Sequence, residues 1–277
     1  MNHCLIITAY KDIESLNLII SKTPNQWGIY IHLDKKSTVK VEEINNRAIV
    51  LQTYSVNYAS INHLKAIIKL LSLAHKENYD YYHIISGQDF FATNPDNFDS
   101  IIGNKHNNYL DLFPLPRKDG WWHGGLMIYQ HRTLSSFGDI RYGWLKVAND
   151  ILYYIQRMGL HRKAPNFPLY GGSVYCSLHR DFIDYVLTND FAINFLKELS
   201  HTTCSEEIYF QTVIMNSPFK ESVVANQLRY IDWSVPHGPK FLVIEDLDKI
   251  ITSKTLFCRK IDSKISFDLI RRLEKEI

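Results

Sequence analysis

The first third of the chain alternates between short apolar runs and longer amphipathic stretches. CLIIT (4–8) and AIVLQ (48–52) have the continuous hydrophobicity of strands buried on both faces, and WGIYIHLD gives a further strand that ends at Asp34. The stretches between them place apolar residues three or four positions apart, which is typical of helices that pack on a sheet. This alternation predicts an α/β fold with a mostly parallel central sheet and helices on both faces.

The pattern weakens over residues 104–168 and resumes from residue 169. Within the weaker region, FPLPRKDGWWHGG predicts irregular structure, whereas GWLKVANDILYYIQRMG predicts a helix that ends at Gly159. The C-terminal SFDLIRRLEKEI predicts an amphipathic helix that packs against the body of the protein or, alternatively, touches a membrane surface. The sequence shows no repeat and no low-complexity linker, so we interpret residues 1–277 as a single domain.

The composition narrows the class of protein. Among 277 residues, 45% are hydrophobic and 22% are charged, as in ordinary folded proteins, and a formal net charge of +2 gives no reason to expect a nucleic-acid partner. The sequence contains no secretory signal and no apolar run that approaches the roughly 18 residues of a membrane span. We therefore expect a cytoplasmic protein, and a peripheral contact with the inner membrane stays open.

Several common motifs are absent from the sequence. Neither G-x-G-x-x-G nor G-x-x-x-x-G-K-[ST] occurs, which removes the main support for a dinucleotide-dependent dehydrogenase or a P-loop enzyme. The 12 histidines show no H-E-x-x-H or comparable spacing, so a zinc site is not expected. The four cysteines form no C-x-x-C pair and are predicted to be free thiols in a reducing compartment.

Two adjacent glutamates stand at the start of the otherwise apolar segment SEEIYFQTVI (205–214). Thr203 and Glu206 have the spacing of a capping box, in which Glu206 returns a hydrogen bond to the backbone of Thr203. Glu207, one position further, is then left to accept a proton from a sugar hydroxyl. An acidic helix start also has a purely electrostatic explanation, and local spacing alone does not decide between the two.

Five segments occur in an order that resembles a known family. They are YYHIISGQDFF, YGGSVYCSLHRDFIDYVL, SEEIYFQTVI, LRYIDW and LFCRKID. Together with ITAYKDIESLNLII and IYIHLDKKS near the N-terminus, they resemble the core-2/I-branching β-1,6-N-acetylglucosaminyltransferases, glycosyltransferase family 14, which also holds the peptide O-xylosyltransferases. The resemblance extends from about residue 4 to 262. The missing membrane anchor and cysteine pairs differ from the Golgi members and suggest a bacterial-type member.

This resemblance implies a GT-A-like fold and an inverting transfer from a UDP-sugar without a required metal. It divides the chain into a nucleotide-binding half, residues 1–103, and an acceptor and catalytic half, residues 104–277. The glutamate that serves as catalytic base in the family matches Glu207. A base on the acceptor hydroxyl is one of the two elements that inversion needs.

The resemblance also assigns nucleoside and acceptor contacts. The aspartate of IHLDKK, Asp34, is implied to contact the nucleoside, and SVNYAS resembles a nucleotide-side segment that points to Tyr58 and Ser60. Trp233 in LRYIDW resembles an acceptor-side aromatic residue. We assign Asp89, at the end of a predicted strand, to the acceptor side together with Trp233.

We expect positively charged side chains, and not a metal ion, to bind the diphosphate. Lys260, with Arg259 beside it, matches the basic residue that holds the diphosphate in the family. A second basic residue of the family falls near His237 here, and Lys240 is a candidate to substitute for it. Cationic side chains placed on a leaving diphosphate can replace a divalent ion.

A metal-dependent alternative rests on FLVIEDLD. Its D-x-D, Asp246 and Asp248, supplies the hard oxygen ligands that Mn²⁺ or Mg²⁺ prefers and that many GT-A enzymes use. The acidic start of a helix explains the same two residues, so we expect no divalent metal and no cofactor.

The prediction is an inverting glycosyltransferase that moves N-acetylglucosamine from a UDP donor to a hydroxyl of a glycan or lipid-linked glycan. We expect it to act in bacterial surface polysaccharide or lipopolysaccharide synthesis. A UDP-xylose or UDP-galactose transferase of the same fold and a non-catalytic sugar-binding protein are the alternatives. A sugar-nucleotide hydrolase would also release UDP, but without an acceptor.

Overall fold

The computed structural model describes residues 1–103, 106–119, 121–236 and 238–276. The strands are β1 (His3–Ala9), β2 (Gly28–Leu33), β3 (Ile49–Leu51), β4 (Tyr81–Ser86), β5 (Asp89–Phe91), β6 (Asn108–Tyr109), β7 (Phe113–Pro114), β8 (Tyr170–Gly171), β9 (Cys176–His179), β10 (Val223–Val224), β11 (Arg229–Ile231) and β12 (Phe257–Arg259). The helices are α1 (Ile13–Lys22), α2 (Asn62–Ala74), α3 (Phe98–Ile102), α4 (Leu126–Gln130), α5 (Gly143–Ile155), α6 (Arg180–Thr188), α7 (Asp190–Glu198), α8 (Tyr209–Met215), α9 (Leu247–Thr252) and α10 (Phe267–Glu276).

A seven-stranded sheet in the order β10-β6-β9-β4-β1-β2-β3 forms the centre of the molecule. The four strands β4, β1, β2 and β3 are parallel, whereas β9 runs antiparallel to both of its neighbours. Strands from both predicted halves of the chain therefore belong to one sheet. The predicted α/β class and mostly parallel sheet are confirmed.

Strand β1 shows why both faces of this sheet are covered. All of its central residues are fully buried, and alternate residues belong to different cores. Cys4 and Ile6 pack in the cluster that contains the apolar face of α2, whereas Leu5 and Ile7 pack with α1. A continuous apolar run in the sequence thus corresponds to burial on both sides, as expected for a central parallel strand.

A buried arginine joins a second, three-stranded sheet, β11-β12-β5, to the first. Arg229 donates hydrogen bonds to the hydroxyl of Ser177 and to the carbonyl of Cys176, both at 2.8 Å. Its guanidinium also lies over the ring of Phe257. Burial lowers the pKa of Arg229 to about 10, but the carbonyl and hydroxyl acceptors compensate for its lost hydration. This contact fixes the position of β12, which ends at Arg259.

Three further predictions can be compared with the structure. The C-terminal helix α10 buries Leu269, Ile270 and Leu273, so packing against the body is confirmed. The helix predicted to end at Gly159 is regular to Ile155 and continues as a π-helical turn. The four cysteines are buried free thiols, as predicted. No helix in the described part of the chain has the length and apolar character needed to cross a bilayer.

Candidate active site

A cleft of about 800 Å³ lies at the carboxyl ends of the central parallel strands. Tyr10 follows β1, Asp34 follows β2, and Gly87 and Gln88 follow β4, and all of them line the cleft. In open α/β sheets this edge is where ligands bind, because the loops diverge there while the strands hold their starting points in register. The fold therefore brings residues from distant parts of the sequence to one surface.

Asp34 lies in this cleft with little exposed surface. Its Oδ1 accepts hydrogen bonds from the amides of Lys36 at 2.9 Å and Val56 at 3.3 Å. These two amides fix the carboxylate at the end of β2. The predicted nucleoside contact is thus placed where a ligand can reach it.

The segment SVNYAS lines the same cleft, but not with both predicted residues. Tyr58 is 51% exposed and lies against the guanidinium of Arg141, 5.0 Å from its ring centroid. Ser60 is fully buried, and its hydroxyl accepts the amide of Asn62 at the start of α2. Ser60 does not line the cleft, because its hydroxyl is buried against the first turn of α2, and its donor contact stays a prediction.

The two cations that end β12 both line the cleft. The guanidinium of Arg259 is buried and lies 3.6 Å from the ring centroid of Tyr175, while Nε and Nη1 have no hydrogen-bond partner among the described residues. Burial lowers the pKa of Lys260, and the positive charges of Lys11 and Arg259 lower it further. Buried donors without acceptors are costly, so they favour an anion in the adjacent space.

Asp89 lies inside the protein. It is 1% exposed, and its Oδ2 accepts a hydrogen bond from the amide of Ser86 at 2.6 Å. Its Oδ1 lies 3.7 Å from Nε of Arg259, an ion pair inside the protein. The carboxylate is enclosed and does not line the cleft, and the acceptor contact by Asp89 stays a prediction. Through its ion pair, Asp89 holds the guanidinium of Arg259 in place on the side away from the cleft.

The predicted capping box at Thr203 and Glu206 is wrong. The short 3₁₀ helix Ser205–Glu207 begins after Cys204, which has a φ of 44° and makes no side-chain cap. Glu206 lines the cleft instead, and its Oε1 lies 3.1 Å from Nδ1 of His63. Its Oε2 is buried without a hydrogen-bond partner. The backbone reversal at Cys204 turns this carboxylate toward the cleft, which spacing rules do not reveal.

Glu207 is only partly buried and is not among the residues that line the cleft, but it adjoins Glu206, which does line it, and its carboxylate interacts electrostatically with Tyr58. We call this turn beside Tyr58 the rim. Burial raises the pKa of Tyr58, and the nearby carboxylate of Glu207 contributes to the rise. The carbonyl of Glu207 accepts the amide of Gly172 at 2.9 Å, which ties this turn to the strand end after β8. The structure thus places one glutamate in the cleft and the next at its edge.

Lys240 forms an ion pair with the first aspartate of the D-x-D motif. Nζ of Lys240 donates to both oxygens of Asp246 at 2.8 Å, and Asp246 Oδ2 also accepts the amide of Val243 at 3.0 Å. The ammonium of Lys240 is thus directed to Asp246 and Lys240 does not line the cleft, and its contact with the diphosphate stays a prediction. Asp248 is exposed on α9. His237 lies outside the described residues.

Trp233 lies outside the cleft, on the surface after β11. Its side chain is 65% exposed. An exposed aromatic ring is compatible with stacking on a sugar, but Trp233 is not among the residues that line the cleft. Its acceptor role stays a prediction.

Three residues of the cleft were not selected from the sequence. Lys36 donates to Oδ1 of Asn57 at 2.7 Å, His63 links Glu206 to the hydroxyl of Thr8, and Arg141 pairs with Asp139. Lys36 belongs to the segment HLDKK, so the rule that strand ends form the site could have found it. His63 and Arg141 lie in a helix and a loop, and no local pattern distinguishes them.

The family model described as Core-2/I-Branching enzyme matches residues 4–251. The chain belongs to this family. The match covers the whole cleft except its final strand end, at Arg259 and Lys260. It confirms the resemblance found in the sequence, although the bacterial type is not tested.

Relatives of this Core-2/I-branching member include two kinds of glycosyltransferase. The beta-glucuronosyltransferase GlcAT14A of Arabidopsis thaliana is 31% identical over 123 residues, 42% of this chain and 27% of that protein. Xylosyltransferase 1 of Rattus norvegicus is 33% identical over 89 residues, 31% of this chain and 11% of that protein. The matched part is thus about a quarter or less of the length of these relatives.

Solved structures resemble this Core-2/I-branching chain only distantly. The Staphylococcus aureus TarS 1–349 structure in complex with UDP-GlcNAc has a TM-score of 0.32 and 13% sequence identity, covering 66% of this chain and 47% of that one. A likeness at this level carries no argument about the site.

Proposed function

We propose that the protein is an inverting glycosyltransferase that transfers a sugar from a UDP donor to a hydroxyl of a glycan. The observation that carries the proposal is the cleft at the strand ends, where Asp34, Arg259 and Lys260 meet although they are distant in sequence. Membership of the Core-2/I-branching family supports the same activity. A GT-A-like arrangement accounts for the position of this cleft on the sheet.

In this proposal the donor binds with its nucleoside near Asp34 and its diphosphate near Arg259 and Lys260. Nη1 of Arg259, which has no hydrogen-bond partner among the described residues, supplies a hydrogen bond to a phosphate oxygen, and Lys260 adds a charge. As the bond between the anomeric carbon and the diphosphate oxygen breaks, the electron pair stays on UDP. Fixed cations stabilise that developing charge without reorganisation, so a metal is not required.

Glu207 is the proposed base. The base must face the acceptor hydroxyl from the side opposite the leaving UDP, and Glu207 lies at the rim beside Tyr58 and not among the donor contacts. It takes the hydroxyl proton while the oxygen attacks the anomeric carbon, which inverts the configuration. Glu206, paired with His63 inside the cleft, is left to accept a hydroxyl of the donor sugar on Oε2.

The donor sugar is proposed to be N-acetylglucosamine, with xylose or galactose as alternatives. The acceptor is proposed to be a glycan or lipid-linked glycan of a bacterial surface polysaccharide or lipopolysaccharide, made at the cytoplasmic face of the membrane. The beta-glucuronosyltransferase and xylosyltransferase relatives add UDP-glucuronate and UDP-xylose to the donors that must be compared.

The deciding experiment measures UDP release from a panel of UDP-sugars with and without candidate glycans. A transferase releases UDP at a rate that depends on the acceptor, and a donor that binds more tightly raises Tm more, by an amount that grows with the logarithm of its concentration over Kd. Equal release with and without any acceptor would support a hydrolase instead. Donor binding without release under any condition would support the sugar-binding alternative.

A further inference from the structure

Helix α5 and the π-helical turn after it expose an apolar face. The outer face of α5, as we define it, consists of Trp144, Val147, Ile151, Tyr154 and Met158. These residues are three or four positions apart and therefore lie along one side of the helix. Trp144 is 76% exposed and Met158 is 83% exposed, so nothing in the described part of the chain covers them.

The inner side of the same helix is held by polar groups. Oδ1 of Asn149 accepts the hydroxyl of Thr133 and the amide of Leu134, both at 3.0 Å. Oε1 of Gln156, which is 3% exposed, accepts the amide of Arg132 at 2.6 Å. A surface helix of a water-soluble domain normally has its apolar residues inward and its polar residues outward. In α5 the less exposed side carries Leu145, Leu152 and Tyr153 together with these polar groups, and the outer face is apolar as well. Apolar residues on both sides of a surface helix indicate that the outer face is suited to an apolar surrounding.

More apolar side chains extend the outer face at both ends of the helix. Phe137 and Tyr142 precede it with 71% and 68% of their side chains exposed, and Leu160 follows it with 73% exposed. Contiguous exposed apolar patches of this kind mark interaction sites. Trp and Tyr at the margin of such a patch are typical of the interface between water and lipid, because one end of each ring system is polar.

The charges around the outer face are predominantly positive. Residues 137–163 contain five basic residues and two acidic ones. Both acidic residues are already paired within the segment, since Asp139 contacts Arg141 and Asp150 contacts Lys146. Exposed Arg157 and Lys163 are among the remaining cations. An excess of cations beside an apolar, aromatic face is complementary to an anionic lipid surface.

We propose that the outer face of α5 binds the headgroup region of an anionic bilayer. The helix lies flat on the surface, with Trp144, Ile151 and Met158 at the boundary of the acyl chains and the cations at the phosphates. This is peripheral binding by one helix face and does not involve a span. The C-terminal helix α10 does not serve this purpose, because its apolar side is buried in the protein.

The position of the helix connects membrane binding to the cleft. Arg141, two residues before α5, lines the cleft together with Asp139 and Tyr58. A bilayer on the outer face therefore lies near the rim where Glu207 is found. Provided that the proposed function holds, this geometry favours an acceptor whose glycan is attached to a lipid and reaches the rim from the membrane.

The test is co-sedimentation of the full chain with vesicles, without donor or acceptor. Vesicles of phosphatidylglycerol and phosphatidylcholine are compared with phosphatidylcholine alone, at low and high salt. We expect binding to the anionic vesicles that weakens with salt, because surface charges are screened. Trp144→Ser with Ile151→Ser should weaken it about tenfold or more. Arg157→Gln with Lys163→Gln should weaken it about 25-fold, since each cation near an anionic surface contributes about fivefold.

Matched controls keep the result specific. Ile265→Ser with Phe267→Ser removes apolar side chains that are 53% and 54% exposed elsewhere, and Lys69→Gln with Lys76→Gln removes exposed cations of α2 and the turn after it. Neither control should change vesicle binding. All variants alter exposed residues, and an unchanged Tm confirms that each has folded.

Three outcomes would overturn the proposal. The first is no binding of the unaltered chain to anionic vesicles, and the second is equal binding to both kinds of vesicle. The third is a dimer, detected by light scattering, that Trp144→Ser with Ile151→Ser converts to a monomer while neither form binds vesicles. Because the assay needs no substrate, its failure is separate from a failure of UDP release, which would contradict only the proposed function.

Discussion

Glu206 and Glu207 are neighbours in sequence with different surroundings. Glu206 points into the cleft and pairs with His63, whereas Glu207 lies at the rim beside Tyr58. Because successive residues of a short 3₁₀ helix point in different directions, two identical side chains can take different roles. At the residue scale the site therefore depends on orientation more than on residue type.

We predict that Glu207→Gln lowers kcat about 10²–10⁴-fold, because the amide cannot accept the hydroxyl proton. The shift in Tm caused by UDP should not change, since Glu207 does not line the donor cleft. UDP release and thermal shift measure the two effects. Glu206→Gln is the matched control and should change the affinity for the intact UDP-sugar. Full transfer by Glu207→Gln would show that another group is the base.

Lys260 gives the site a dependence on pH. Burial and neighbouring cations lower its pKa from the usual value, and a bound diphosphate raises it again. The affinity for UDP is therefore highest at a pH below the pKa of Lys260 in the unliganded protein, and it falls as the pH rises through that pKa. Lys260→Arg should abolish this alkaline fall, because the guanidinium stays charged.

Removing the charge of Lys260 tests how much that charge contributes to UDP binding. Lys260→Met should weaken UDP binding about tenfold to a hundredfold, the range expected for a lost hydrogen bond to a charged group. Isothermal calorimetry at several pH values checks both variants. Unchanged affinity and unchanged pH dependence in Lys260→Met would remove this residue from the diphosphate site.

At the scale of elements, close backbone contact holds the rim together. The amide of Cys204 donates to the carbonyl of Ala59, and the amide of Gly172 donates to the carbonyl of Glu207. A Cβ on Gly172 would lie 2.0 Å from the carbonyl oxygen of Asp111, a distance no side chain tolerates. The position of the turn that carries Glu207 therefore depends on Gly172, which follows β8 and is distant from the turn in sequence.

We predict that Gly172→Ala lowers Tm and kcat together, since the strand end must move away from Asp111 and takes the turn of Glu207 with it. Gly138→Ala is the matched control. Its Cβ would meet only the end of the Leu145 side chain, which can rotate away. Thermal unfolding and UDP release measure the effect. Equal Tm and activity for the two variants would contradict this account of the rim.

At the scale of the whole molecule, the two sheets together line one side of the cleft with positive charges, which we call the cationic wall. The central sheet supplies Lys11 and Lys36 from its strand ends, and the smaller sheet supplies Arg259 and Lys260. Arg229 keeps the two sheets in register. Preorganised cations of this kind stabilise a leaving diphosphate because they need no reorientation during the reaction.

We predict that transfer continues at an unchanged rate in EDTA, because the wall already neutralises the diphosphate. Asp246 offers little capacity for a metal, as its oxygens accept Lys240 and the amide of Val243. The measurement is UDP release with EDTA and after addition of Mn²⁺. Loss of activity in EDTA and its recovery with Mn²⁺ would contradict the metal-free mechanism. Asp248→Asn would then test the D-x-D motif.

Sequence periodicity and motif order determined the fold class, the strand ends and the family. Asp34, Tyr58, Arg259 and Lys260 were selected through short motifs that resemble the family, and all four line the cleft. Their roles in binding the donor stay predictions.

Tertiary structure alone decided which polar side chains enter the cleft. Ser60 caps a helix, Asp89 and Lys240 form ion pairs, and Glu206 turns toward His63 at a backbone reversal. The partners of Asp89 and Glu206 lie far away in sequence, whereas those of Ser60 and Lys240 lie two and six residues away. In both cases local spacing does not show which of the possible contacts the fold uses. The exposed outer face of α5 belongs to the same class, because a helical pattern gives the apolar side and only packing shows whether it is covered.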